Sequence, residues 1–219
     1  MADNAERLQA IADQVAICTR CRLYEKARNP VPGAGNPNAE IMIIGEAPGE
    51  QEDLKGLPFI GRSGKYLDYL LGLIGLNRDQ VFIGNVVKHR PPGNRDPLPD
   101  EIAACKPYLD EQMEIIDPLL IVTLGRFSMA RYFPNGKISQ IHGQPKYDER
   151  MAYYPLFHPA AALRNPDLRQ TMEEDINRIP SVLAEVRKRR AGASGDQPDA
   201  LTGSSEDDDK TPPQQLSLF

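Results

Sequence analysis

Four side chains of this 219-residue chain have the chemistry of metal ligands. Cys18-Thr19-Arg20-Cys21 is a C-x-x-C pair, Cys105 lies far downstream, and His89 stands in Lys88-His89-Arg90-Pro91-Pro92. Three thiolates and one imidazole suit a tetrahedral zinc ion or an iron–sulfur cluster held at its corners. The alternative is three unligated cysteines and a surface histidine. Three is an odd count, and nothing in Met1-Ala2-Asp3-Asn4-Ala5-Glu6 resembles a secretion signal, so a disulfide framework is disfavoured. A second set has a different chemistry. Glu46 follows Gly45, and with Asn85 and His158 it offers a carboxylate, an amide and an imidazole, each at or just past the end of an apolar run.

Those residues need a scaffold, and the apolar periodicity supplies one. Residues 5–17 have helical spacing. Residues 41–44 are a short, wholly apolar run, as expected of a strand buried on both faces. A helix over 64–76 precedes a strand over 81–87. Pro99-Asp100-Glu101 opens a helix that runs to about residue 116. A strand over 119–124, a helix over 126–133, a strand over 151–157 and a closing helix over 173–190 complete the series. This alternation predicts an α/β three-layer sandwich, with a mostly parallel four-stranded sheet flanked by helices. Ligands of such folds bind at the carboxyl ends of the strands, where Gly45-Glu46, Asn85 and His158 fall.

Composition divides the chain. Residues 1–190 have a globular composition. Residues 191–214 are rich in Gly, Ser, Pro and Asp and lack the apolar side chains to offset chain entropy, so a disordered linker is expected. From residue 191 onward there are six acids (Asp196, Asp199, Glu206, Asp207, Asp208, Asp209) and one base, Lys210, which together account for the whole net charge of −5. The remaining body is neutral and is free to carry a basic face, with Lys88, Arg90, Arg95, Arg164 and Arg169 as candidates; scattered solvated charges explain them equally well. No apolar run approaches the roughly 20 residues of a membrane-spanning helix, so no membrane partner is expected and a cytoplasmic location is the default.

Four blocks, in this order, resemble the family 4 uracil-DNA glycosylases: Gly45-Glu46-Ala47-Pro48-Gly49-Glu50-Gln51-Glu52-Asp53, Gly56-Leu57-Pro58-Phe59-Ile60-Gly61, Asn85-Val86-Val87-Lys88 and His158-Pro159-Ala160-Ala161. The resemblance covers residues 16 to 190, nearly the whole body. It implies a repair enzyme that hydrolyses the N-glycosidic bond of uracil in DNA, leaving an abasic site for base excision repair. That family carries a four-iron, four-sulfur (4Fe-4S) cluster on four cysteines, three of which match Cys18, Cys21 and Cys105. The remaining family position, in a K-C-R-P-P context, is His89 here. A neutral imidazole can ligate iron, so three cysteines plus His89 would hold a cluster with a raised potential; zinc is the less favoured cofactor. A related branch that becomes covalently trapped on uracil-DNA also looks to have histidine here, followed by a basic loop with a second histidine. Arg90 runs straight into Pro91-Pro92-Gly93-Asn94-Arg95, so that loop is missing and suicide crosslinking is not implied. The expected role of the cluster is structural, pinning the N-terminal segment to the 94–105 region.

Under this resemblance each site residue acquires a role. The target base must be flipped out of the duplex and held. Phe59 is the stacking platform. Asn85 is the reader, since its amide matches both O4 and N3–H of uracil and mismatches cytosine twice; as an isolated residue it would pass for a turn former. His158 donates to the developing oxyanion at O2. Glu46 either orients the attacking water or stabilises the positively charged sugar. Gly45 and the backbone of Gln51 complete the uracil pocket, and the acids beside Gln51 read as mostly solvated. Ala162-Leu163-Arg164-Asn165-Pro166 resembles a minor-groove loop, with Leu163 as wedge and Arg164 as phosphate contact.

Gln215-Leu216-Ser217-Leu218-Phe219 ends an acidic stretch with three large apolar residues. It matches the consensus by which bacterial replication and repair proteins bind the β sliding clamp, which implies a clamp-binding peptide on a tether, a bacterial origin and a place at the nucleoid. The protein is expected to act as a monomer. Two competing functions are a uracil-DNA binder without turnover and a zinc- or cluster-stabilised nucleic-acid-binding module.

Overall fold

A computed structural model describes residues 2–194. The sheet order is β1-β3-β2-β4-β6-β5, with β1 at Ala34–Gly35, β2 at Ile41–Gly45, β3 at Phe82–Asn85, β4 at Leu120–Leu124, β5 at Lys146–Tyr147 and β6 at Ala152–Leu156. The four longer strands are parallel and were the four expected. The sheet gains a two-residue antiparallel strand at each edge, β1 on β3 and β5 on β6. Two residues are too few to show an alternation in sequence, which is why neither edge was legible. β2 is buried at every position: Ile41 and Ile43 join the apolar layer on one face, Met42 and Ile44 the layer on the other.

The helices in chain order are α1 (Asn4–Ala16), α2 (Glu50–Lys55), α3 (Arg62–Leu73), α4 (Pro99–Ile116), α5 (Arg126–Ala130), α6 (Ile138–Ile141), α7 (Pro159–Arg164), α8 (Asp167–Ile176) and α9 (Ile179–Ser194). α1 starts where the Asp3 carboxylate accepts the N–H of Glu6 at 2.8 Å, and it buries Ile11 and Val15 against Tyr108 and Ile115 of α4. That packing brings the C-x-x-C segment to α4. α4 starts at Pro99, and Glu101, three residues past Leu98, reaches back to the Leu98 N–H at 2.8 Å. The single closing helix expected over 173–190 is two helices. The chain breaks at Asn177–Arg178, where the Asn177 side chain donates to the carbonyl of Glu173, a local bond that competes with helix continuation. α9 then runs to Ser194, so 191–194 continue the helix. The rest of the expected acidic linker and the pentapeptide Gln215–Phe219 lie outside the described residues.

Candidate active site

Parallel register places the polar residues side by side. Gly45 and Asn85 are direct partners across β2 and β3. Leu124 pairs with Leu156, and the Gly125 N–H donates to the Leu156 carbonyl at 2.9 Å, bringing the chain two residues before His158 onto the same edge. The resulting cavity, about 220 Å3, is bounded by Phe59, Ser63, Asn85, Asn94 and His158. It shares His158, Asn94 and Arg164 with an adjoining cleft of about 340 Å3 that holds Glu46 and Asp96. The Asn85 side chain is 1% exposed, and its amide oxygen has no partner. A buried unpaired acceptor costs about 1–3 kcal/mol, so this oxygen is poised to accept a donor from a ligand. Gly45 makes room for this arrangement. A Cβ there would lie 2.5 Å from both the Asn85 Oδ1 and the Phe59 Cζ.

Phe59 is buried, and its ring lies 5.8 Å from that of His158 at 31°. Its backbone is left-handed, with φ +51°, which a phenylalanine adopts only under constraint. The constraint comes from Glu52, whose Oε1 accepts the N–H of Ile60 at 2.9 Å and of Gly61 at 2.8 Å. Gly64 also matters, because a Cβ there would lie 1.7 Å from the Phe59 carbonyl oxygen. Glu52 and Asp53 are therefore buried, contrary to the expectation of solvated acids. α2 turns them inward, and Asp53 accepts the N–H of Arg28 at 2.9 Å.

His158 caps α7, with its Nδ1 accepting the Ala160 N–H at 3.1 Å. Burial first, then the Arg164 charge, push its pKa down to about 4 against an opposing pull from Glu52. At neutral pH the ring is uncharged. Because Nδ1 accepts, the proton resides on Nε2, which leaves that nitrogen as a donor. The close approach of His158 to β4 relies on Gly125, φ +86°, where a Cβ would lie 3.1 Å from that of His158. Glu46 is half-buried, and its pKa is raised, first by burial and then by Asp96, with Arg126 opposing.

Of the residues expected at the site, Gly45, Glu46, Phe59, Asn85, His158 and Arg164 come together. Gln51 is exposed on α2 and does not line either cavity. Leu163 is half-buried in the last turn of α7, where a loop was expected. Pro159 at the first helical position and the His158 cap start that helix. Lys88 leaves the expected basic face altogether. It is fully buried, donates to the Asn85 carbonyl at 3.1 Å and to Gln112 Oε1 at 2.8 Å, and burial lowers its pKa to about 8. Arg95 is fixed by two bonds to the buried Glu101, at 2.8 and 2.7 Å. Glu52, Asn94 and Asp96 had not been expected to line the site; the Pro-Gly-Asn turn at 92–94 was the signal for Asn94, which takes φ +54°.

Cys18 and Cys21 lie near Cys105 of α4, and His89 follows the residue whose N–H reaches that thiol. The buried Cys105 Sγ accepts the Lys88 N–H at 3.4 Å, so His89 is the next residue along. Burial, with smaller contributions from the Cys21 and Cys18 charges, pushes the Cys105 thiol up to about 11. Cys21 is raised as well, mainly by burial, and Cys18 packs against the cluster of Ile11, Val15, Tyr108 and Ile115. His89 is 5% exposed, its Nδ1 has no partner, and burial lowers its pKa. A buried imidazole nitrogen without a partner, one residue from the Lys88 N–H that Cys105 accepts, has the chemistry of the expected fourth ligand. Among the described residues no group of three or more His, Cys, Asp or Glu side chains is arranged to hold a single metal ion.

Comparison with known proteins agrees with this geometry. The family model described as the uracil DNA glycosylase superfamily matches residues 32–179. A type-4 uracil-DNA glycosylase of Sulfurisphaera tokodaii is 50% identical over 184 residues, covering 80% of this chain and 84% of its own. Proteins of the same name from Saccharolobus solfataricus and Thermotoga maritima are 46% and 41% identical, over 82% and 84% of this chain and 88% and 98% of theirs. With the matched span running from the residues before β2 to the start of α9, and so enclosing Gly45, Phe59, Asn85 and His158, the chain belongs to the uracil DNA glycosylase superfamily.

Proposed function

We propose that this protein is a uracil-DNA glycosylase, hydrolysing the N-glycosidic bond of uracil in DNA to release the base and leave an abasic site. The observation that carries this is the buried, unpartnered Asn85 amide oxygen at the back of a cavity walled by Phe59 and His158. Uracil N3–H supplies the donor that oxygen lacks, and the amide N–H2 of the same side chain meets O4. The flipped base stacks on Phe59. As the glycosidic bond lengthens, negative charge gathers on O2, and neutral His158 donates to it through Nε2–H. Glu46, in the adjoining cleft, provides the anion on the sugar side; its carboxylate orients water or stabilises the developing cation. Arg164, exposed at the cleft rim, contacts phosphate, and Leu163 fills the gap in the stack.

Cys18, Cys21, Cys105 and His89 are the residues that would hold an iron–sulfur cluster of the 4Fe-4S type. Its positive irons would convert thiols whose pKa values burial has raised into thiolates. Such a cluster would supply no step of base release and would tie the N-terminal segment to α4. Residues 1–194 act as the glycosylase unit and 195–214 as a tether, with Gln215, Leu216, Leu218 and Phe219 docking on a bacterial β sliding clamp. The protein works as a cytoplasmic, nucleoid-associated monomer.

The enzyme claim is tested with an oligonucleotide carrying one uracil, treated with protein and then alkali. Strand cleavage at the uracil is expected, sharply reduced in Glu46→Ala and His158→Ala. Tight uracil-specific binding with no cleavage would replace the enzyme by a binder.

A further inference from the structure

The motif residues do not by themselves explain how Phe59 is held. Glu52 grips the two N–H groups that follow its left-handed backbone, those of Ile60 and Gly61, and the Phe59 carbonyl faces Arg78, a residue outside every motif block. Arg78 opens a short 3-10 turn before β3. Its Nη1 donates to the Pro58 carbonyl at 3.0 Å and its Nη2 to the Phe59 carbonyl. The third edge of the guanidinium is fixed by Asp68 of α3, with Nε to Oδ1 at 2.5 Å. The turn that presents Arg78 is itself locked. Asn77 Oδ1 accepts the Asp79 N–H at 2.9 Å, and Gln80 Oε1 accepts the Asn77 N–H at 3.0 Å. A planar fork anchored at one end by a carboxylate presents its remaining donors to two successive carbonyls in a fixed plane, an orientation a freely rotating ammonium does not impose.

We infer that Arg78, oriented by Asp68, is a positioning residue for base recognition: it clamps the Pro58 and Phe59 carbonyls and so holds the Phe59 ring as the wall on which the flipped base stacks. The inference rests on the reading of Phe59 as that platform. Loss of the clamp lets the strained loop relax, and the base loses its stacking surface before it loses its catalytic groups. The expected signature is therefore weaker substrate capture, a raised KM with a smaller change in kcat.

The test is a double-mutant cycle on the full-length, iron-containing protein, measuring kcat and KM for release of uracil from a single-uracil oligonucleotide. The proteins are wild type, Phe59→Ala, Arg78→Ala and the double variant, with Arg78→Lys as the conservative replacement. Arg78→Ala is expected to lower kcat/KM by about 5- to 150-fold, the span of base–aromatic stacking. In the Phe59→Ala background the same change should cost no more than about 2-fold, and Arg78→Lys should recover part of the loss. An equal loss in both backgrounds overturns the inference, since Arg78 would then act through something other than Phe59. So does an Arg78→Ala enzyme within about 2-fold of wild type. If Phe59→Ala alone leaves kcat/KM unchanged, Phe59 is no platform, and the site reading falls together with the inference. Should Arg78→Ala fail to fold, Arg78→Gln, which keeps one donor to the carbonyls, carries the same comparison.

Discussion

Replacing His158 by asparagine separates two jobs that one imidazole performs. Its Nδ1 accepts the Ala160 N–H at 3.1 Å and so caps α7, while Nε2–H is free to donate towards the ligand. Asparagine is among the best N-cap residues, so the cap survives, but its shorter amide does not reach the position Nε2 occupies. Loss of one oxyanion donor costs about 10²–10³ in kcat, or roughly 2.7–4 kcal/mol. His158→Asn should therefore lose this much activity with its thermal midpoint intact, while His158→Ala should lose the same activity and about 1 kcal/mol of stability for the missing cap. The charge state makes a second demand. With its pKa near 4, wild-type His158 is neutral throughout pH 5.5–8, so kcat should show no step there from this residue. The unfolded chain takes up the histidine proton near 6.5, before the folded protein does. Between 6.5 and about 4 stability thus falls as pH is lowered, by at most about 3 kcal/mol from this group, and His158→Asn removes that dependence. Single-turnover rates from pH 5 to 9, with thermal melts on the same samples, measure all of this. A His158→Asn enzyme within about 10-fold of wild type would refute the donor role. A wild-type rate that needs protonation near pH 6–7 would refute the neutral imidazole.

Three further outcomes follow from the same geometry. Asn85→Asp puts an acceptor-only carboxylate against uracil O4, so kcat/KM on uracil should fall by at least about 10-fold while preference moves towards cytosine, whose N4 amino group the carboxylate accepts; paired uracil and cytosine substrates measure it. Asp96 is one of the two causes that raise Glu46 above the ordinary carboxylate range, so Asp96→Asn should shift the acid limb of the kcat–pH profile to lower pH, and an unmoved limb would remove Glu46 from that role. Iron content and visible absorbance of anaerobically purified protein should drop in His89→Ala and persist in His89→Cys, and an unchanged His89→Ala would show that the orphaned imidazole nitrogen is not a ligand.

Much of this was legible in the sequence because apolar runs and strand ends are. β2, β3 and β4 are buried at every position and β6 at all but Tyr153, and their carboxyl ends fix where Gly45, Asn85 and His158 meet. What was hidden depends on contacts distant in sequence. Lys88 looked like part of a basic face, yet Gln112, 24 residues on, gives its ammonium a buried partner. Glu52 looked solvated among four neighbouring polar residues, yet the folding back of 60–61 buries it under two backbone donors. Arg78 carries no motif at all, and only the tertiary approach of Pro58 and Phe59 gives it a task. β1 and β5 are defined by pairing with a neighbour, which no local pattern records.

The most direct measurement is the release of free base. Duplexes identical except for one uracil or one cytosine are incubated with the purified protein, and the small-molecule fraction is assayed for uracil and cytosine by mass spectrometry. One equivalent of free uracil is expected from the first duplex, none from the second, and sharply reduced release in Glu46→Ala. Uracil that stays attached to the strand while the protein binds that strand selectively would contradict the assignment of Glu46 and His158 as catalytic groups and leave a base-reading pocket without chemistry.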